Sequence, residues 1–102
     1  MAVKATNESF PQDIAEGLVL ADFYSDSCIP CKRMSPVLAE TEEAHPEIKL
    51  VKLNINFGAD TAAEYNVTSV PTLVFFRDGK EVQRVTGALK KAQIEEIING
   101  NL

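Results

Sequence analysis

Leu18-Val19-Leu20-Ala21-Asp22-Phe23-Tyr24 runs through Ser25-Asp26-Ser27 into Cys28-Ile29-Pro30-Cys31-Lys32, and this passage decides how the rest of the chain is read. Its first seven residues are almost continuously apolar with aromatics at the end, as in a strand covered on both faces. A helix follows: Met34, Val37, Leu38, Thr41 and His45 recur at helical spacing, while Glu40, Glu42 and Glu43 lie off that stripe. Pro36 falls inside this helix, where its ring and missing N–H predict a bend just over one turn past Cys31. Residues 48–53 form a second apolar run, so strand, helix and strand predict a parallel, right-handed βαβ unit.

Downstream the pattern changes. Residues 59–65 read as a short helix stopped by Asn66 in the left-handed conformation, with Val67 folding back on it. Residues 73–77 and 81–86 flank Asp78-Gly79, a pair that predicts a tight antiparallel hairpin and therefore a mixed sheet. A last helix over 91–99 places Ile94, Ile97 and Ile98 on one face and stops at Gly100, with Lys90 a weak cap at its start. The fold class is α/β, expected as one domain over residues 1–102.

Cys28 and Cys31 stand three apart at a helix start, on one face and within bridging reach. Free backbone N–H groups and the positive end of the helix dipole favour the thiolate of the first, which makes Cys28 the expected nucleophile and Cys31 the resolving thiol. Pro30 suits an early helical position, where no N–H is needed, and stiffens the turn. Three other readings compete. Two cysteines can fill a core. They can supply half a zinc site, although only His45 remains toward the four ligands zinc takes. Haem attachment needs His where the chain has Lys32.

Asp22 interrupts the strand face of Leu18, Leu20 and Tyr24, and Lys52 interrupts that of Ile48 and Leu50. If the strands are neighbours the two can pair beneath the dithiol, burial raising the Asp22 pKa and Lys52 opposing the rise. Asp22 is then a candidate acceptor for the Cys31 proton; the competing reading is a charge on the solvent face of an edge strand. His45 lies about four turns along the helix from Cys31 and reads as a partner of the helix C-terminus. Phe75-Phe76 reads as core.

The stretch from Asp22 to Lys32 resembles the active-site segment of thioredoxins. Pro36, Lys52-Leu53-Asn54-Ile55-Asn56, Val70-Pro71-Thr72, Asp78-Gly79 and Gly87-Ala88 fall in that family's order and spacing across almost the whole chain. The resemblance implies a thioredoxin fold, a central mixed sheet flanked by helices on both faces, with Cys28 exposed and Cys31 more buried. It implies Asp22 and Lys52 behind the cysteines, Asp22 moving a proton and Lys52 tuning it. Pro71 would be cis, with Val70 and Pro71 beside the dithiol where substrate adds as a strand, and Gly87 and Ala88 would complete that groove. Thioredoxin reductase, a flavoprotein, would supply electrons, with no cofactor bound. Two departures touch the same surface: Ser27 stands where the family has Trp, and Ile29 places a branched side chain where Gly is usual. Together with Pro30 these form the expected substrate-facing turn.

Composition bounds the rest. The 102 residues are 45% apolar and 25% charged, an ordinary globular mixture, and a formal charge of -5 with scattered Lys and Arg argues against nucleic acid and membrane surfaces. Met1 to Glu8 shows no basic segment followed by an apolar run, so a cytoplasmic reductant of client protein disulfides is expected. A monomer is expected, since nothing in the sequence argues for a dimer. Two alternatives are a disulfide oxidase or isomerase in an oxidising compartment and a binding module of the same fold without redox turnover.

Overall fold

Strand β2 (Leu18–Tyr24) is hydrogen-bonded along both edges, to β3 (Lys49–Asn54) in parallel and to β4 (Thr72–Arg77) antiparallel, and this central place explains its unbroken apolar run. The computed structural model describes residues 2–101. Around that centre, β1 (Val3–Lys4) pairs in parallel with β3, and β5 (Lys80–Thr86) pairs antiparallel with β4, giving the order β1-β3-β2-β4-β5. The sheet is mixed, as the hairpin signal predicted.

Alternation along β2 divides the core in two. Val19, Ala21 and Phe23 pack with Val51, Leu53, Val74 and Phe76 on one face, under Phe10 of α1 (Phe10–Asp13) and Ala62 of α3 (Ala59–Glu64). Leu18 and Leu20 pack with Leu50, Leu73 and Phe75 on the other, under Met34 and Leu38 of α2 (Ile29–Ala44) and Ile94 and Ile98 of α4 (Lys91–Asn101). Helices thus cover both faces, and Phe75 and Phe76 serve the two cores separately. Burying side chains of this size contributes roughly 1.5–3 kcal/mol each.

Local chemistry sets the ends. Asn66 has φ 58°, its N–H reaches Ala63 O and the Val67 N–H reaches Ala62 O, the paired bonds that close a helix through a left-handed residue. Asp78 and Gly79 both take positive φ, 51° and 84°, which matches the twist of a two-residue hairpin. The Asp78 carboxylate also accepts the Gly17 N–H at 2.8 Å. The backbone of α2 stays helical through Pro36.

Two expectations change at α4. The helix continues through Gly100 to Asn101, whose side-chain amide donates to Ile97 O and occupies a terminal carbonyl. Its start is marked by Gln93, whose side-chain oxygen accepts the Lys90 N–H at 2.9 Å, so the cap reaches back from inside the helix. The sequence reading also passed over β1 and α1. Two and four residues are too short to show a period.

Candidate active site

Pairing register brings four loops to one end of the sheet. Phe23 faces Thr72 and Thr72 faces Thr86, so Val70-Pro71 and Gly87-Ala88 lie at the end where β2 leads into Cys28. The Val70–Pro71 peptide is cis, and the Gly87 N–H donates to Pro71 O at 2.8 Å with φ of +101° at Gly87, a backbone shape that suits glycine. The turn after β3 arrives at the same end, where the Ile55 N–H donates to Tyr24 O at 2.8 Å.

Cys28 is the residue that caps α2. Its backbone is extended, and its Sγ accepts the Cys31 N–H at 3.1 Å, so sulfur occupies the place a Ser or Asp oxygen takes at other helix starts. Cys28 and Cys31 are joined in a disulfide with Cα atoms 5.2 Å apart, within the ordinary range. That pairing removes the core-filler and half-zinc-site readings. Among the described residues no cluster of His, Cys, Asp and Glu is placed to hold a metal ion.

One expectation is corrected here. Cys28 is not exposed: it retains 9% of its accessible surface and Cys31 4%. Cys28 is tied down by the Cys31 N–H to its sulfur and by the bridge to Cys31, and of the two cysteines it keeps the larger share of accessible surface. Exposure belongs to its neighbours, since Ser27 and Pro30 are exposed and Ile29 keeps 63%. Val70 is half-buried, Pro71 buried, Gly87 half-buried and Ala88 exposed.

Asp22 lies in the central strand, opposite Lys52 on one side and Leu73 on the other, which rules out the edge-strand reading. It is 3% exposed, and its Oδ1 has no hydrogen-bond partner. Burial pushes its pKa from 3.8 to about 6, and the Lys52 charge pulls the other way. The expected direct pairing does not form: Lys52 makes no ion-pair contact with Asp22 and acts through space, because its half-buried side chain leans into a cleft shared by both. That cleft, of about 260 Å³, is lined by Asp22, Cys31, Lys52, Lys4, Asp26 and Lys32, among others, so one solvent-sized space borders both Asp22 and Cys31.

Asp26, Asn54 and Asn56 belong to the stretches that carry the family resemblance, but the sequence assigns them no role. The Asn54 side-chain amide donates to Asp26 at 3.0 Å and that of Asn56 at 3.4 Å, tying the turn before Cys28 to the turn after β3. The available signal was Asn-x-Asn at a strand end: Asn54 Oδ1 accepts the Asn56 N–H, a turn this residue forms readily. His45, in contrast, caps the far end of α2 and takes no part in the site.

The thioredoxin family model matches residues 1–100. A thioredoxin of Bacillus subtilis strain 168 is 41% identical over 101 residues, covering 98% of this chain and 97% of the relative. Thioredoxins of Chlamydia trachomatis and Listeria monocytogenes are 38% and 37% identical, each covering 97% of both chains.

Proposed function

The chain belongs to the thioredoxin family, and from that premise we propose that Cys28 is its attacking thiolate, Cys31 its resolving thiol and Asp22 the acceptor of the Cys31 proton. It is a thiol–disulfide oxidoreductase that reduces protein disulfides, and its redox group is the dithiol itself. The division of labour between the sulfurs rests above all on the Cys31 N–H held against Cys28 Sγ at the head of α2. A hydrogen bond to sulfur strengthens when the sulfur carries charge, so this contact and the helix dipole favour Cys28 as thiolate.

In the forward step that thiolate attacks one sulfur of a client disulfide. A Cys28–client bond forms, the client bond breaks and one client thiolate leaves. Cys31 then gives its proton to Asp22, directly or through water in the shared cleft, and attacks Cys28 Sγ. The mixed disulfide breaks, the second client thiolate leaves and takes a proton, and the Cys28–Cys31 bridge is complete. A carboxyl with pKa about 6 fits such a task near neutral pH. Lys52 tunes it. Ser27, Ile29, Pro30, Val70, Pro71, Gly87 and Ala88 form the client surface, with Ile29 as its exposed apolar point.

The chain acts as one monomeric domain in a reducing cytoplasm, recharged by a flavoprotein thioredoxin reductase; no helix among the described residues is long and apolar enough to cross a membrane. Replacing Cys31 by Ser is expected to trap clients on Cys28. Equal trapping by Cys28→Ser through Cys31 overturns the assignment. Equilibration in thiol buffers decides direction: a potential near about -270 mV marks a reductant, and one near about -180 to -120 mV an isomerase or oxidase.

A further inference from the structure

The turn that presents Cys28 is held from one side by a carboxylate. Asp26 precedes Cys28 by two residues, and its two oxygens accept the amides of Asn54 and Asn56. Asn54 is itself oriented, since its Oδ1 is taken by the Asn56 N–H at 3.0 Å, leaving its amide to face Asp26. The Ile55 N–H to Tyr24 O bond lies just behind. Asp26 is exposed and needs no partner to stay soluble. A charged oxygen pair clamped by two amides therefore does more than satisfy the carboxylate: it fixes where one negative charge stands relative to the dithiol.

That place matters because Asp26 lines the cleft that holds Cys31, beside Asp22, Lys32, Lys52 and Lys4. Its field reaches into this space, where Asp26 and Asp22 both add to the effect of burial in raising the Tyr24 phenol. The cations of the cleft and the head of α2 favour a thiolate at Cys28; a fixed anion two residues away opposes them.

We propose that Asp26, clamped by Asn54 and Asn56, is a positioning residue of the reaction that holds the Cys28 turn in place and keeps the Cys28 thiol less acidic and the dithiol more reducing. The sign follows from charge. An anion beside a thiolate destabilises the reduced, ionised form, and a couple whose reduced form is less stable gives up its electrons more readily. The proposal rests on Cys28 being the attacking thiolate.

The test is the pH profile of alkylation of the reduced protein by iodoacetamide, with the modified cysteine identified by mass spectrometry and the dithiol equilibrated in parallel in a thiol buffer. Asp26→Asn keeps an oxygen for the Asn54 amide and removes the charge. It is expected to alkylate Cys28 roughly two- to fivefold faster below the thiol pKa and, at a pH above it where the reduced form is ionised, to shift the exchange equilibrium toward the dithiol by a similar factor, the scale of one surface charge. Asn54→Ala combined with Asn56→Ala keeps the charge and frees it, and is expected to move both readouts the same way by less. A purely structural role changes the melting temperature and neither readout. Unchanged alkylation and exchange in Asp26→Asn, with Cys28 still the labelled residue, overturn the proposal. Labelling of Cys31 first overturns the sulfur assignment instead.

Discussion

The two ends of α2 hold polar groups under opposite rules. At its head, Asp22 is buried with one oxygen unpartnered, and Cys28 is recessed. At its tail, His45 is fully engaged: Nδ1 meets Glu47 at 3.2 Å and Nε2 meets Glu95 of α4 at close range. Both groups have raised pKa values, for different reasons. Asp22 rises because burial penalises its charge, whereas His45 rises because carboxylates reward its charge, the Glu95 hydrogen bond most of all. A group kept unsatisfied is ready to exchange protons; a group satisfied on both sides is a clasp.

The sharpest way to break this contrast is at Asp22. An acid whose folded pKa is about 6 rather than 3.8 costs the fold about 3 kcal/mol once ionised. The folded state binds the proton more tightly, so the favourable contribution is complete below pH 3.8, declines as pH rises toward 6 and is gone above it. Asp22→Asn is expected to flatten this component: between pH 4 and 8 the variant should lose about 2 kcal/mol less stability than the parent in urea unfolding. The same variant should resolve mixed disulfides more slowly near neutral pH. Parallel stability profiles would mean that folding leaves the Asp22 pKa near its ordinary value.

Lys52→Met gives a smaller effect at the same end. Without the cation Asp22 should titrate higher, by roughly half a pH unit for a charge acting through a solvent-filled cleft. Carboxyl-carbon NMR would follow it directly. No movement would leave Lys52 as packing for the cleft.

Most of the fold was legible because two periods speak clearly. Alternation in β2 and the stripe of α2 are long enough to show, and Asn66, Asp78 and Gly79 each have a backbone reason to be where they are. The head of α2 was legible too, since both cysteines and Pro30 sit within one turn. The asparagine clamp and the recess of Cys28 were not. The clamp joins residues 28 and 30 positions apart, a relation set by the parallel register of β2 and β3 and invisible to local pattern. Accessibility depends on how the turn folds over its own sulfur. Asp22 was half legible: its place in an apolar row showed it was unusual, and only the sheet order showed it was central.

The tail of α2 supplies the smallest effect and the cleanest sign. A neutral imidazole has one N–H, yet His45 has a carboxylate oxygen at each nitrogen, so both contacts are attractive only when the ring is doubly protonated. Because its folded pKa is raised above 6.5, the contribution is complete below that value and is lost as pH rises through the folded pKa. Glu95 joins α4 to α2 here, with the Lys91–Glu40 pair at 3.3 Å as a second link. Glu95→Gln and His45→Gln are each expected to unfold at lower urea than the parent at pH 6, with the gap narrowing by pH 9, while dithiol exchange is unchanged. A gap of equal size at both pH values would make the contact one of shape and not of charge, and the difference between the two ends of the helix would reduce to burial alone.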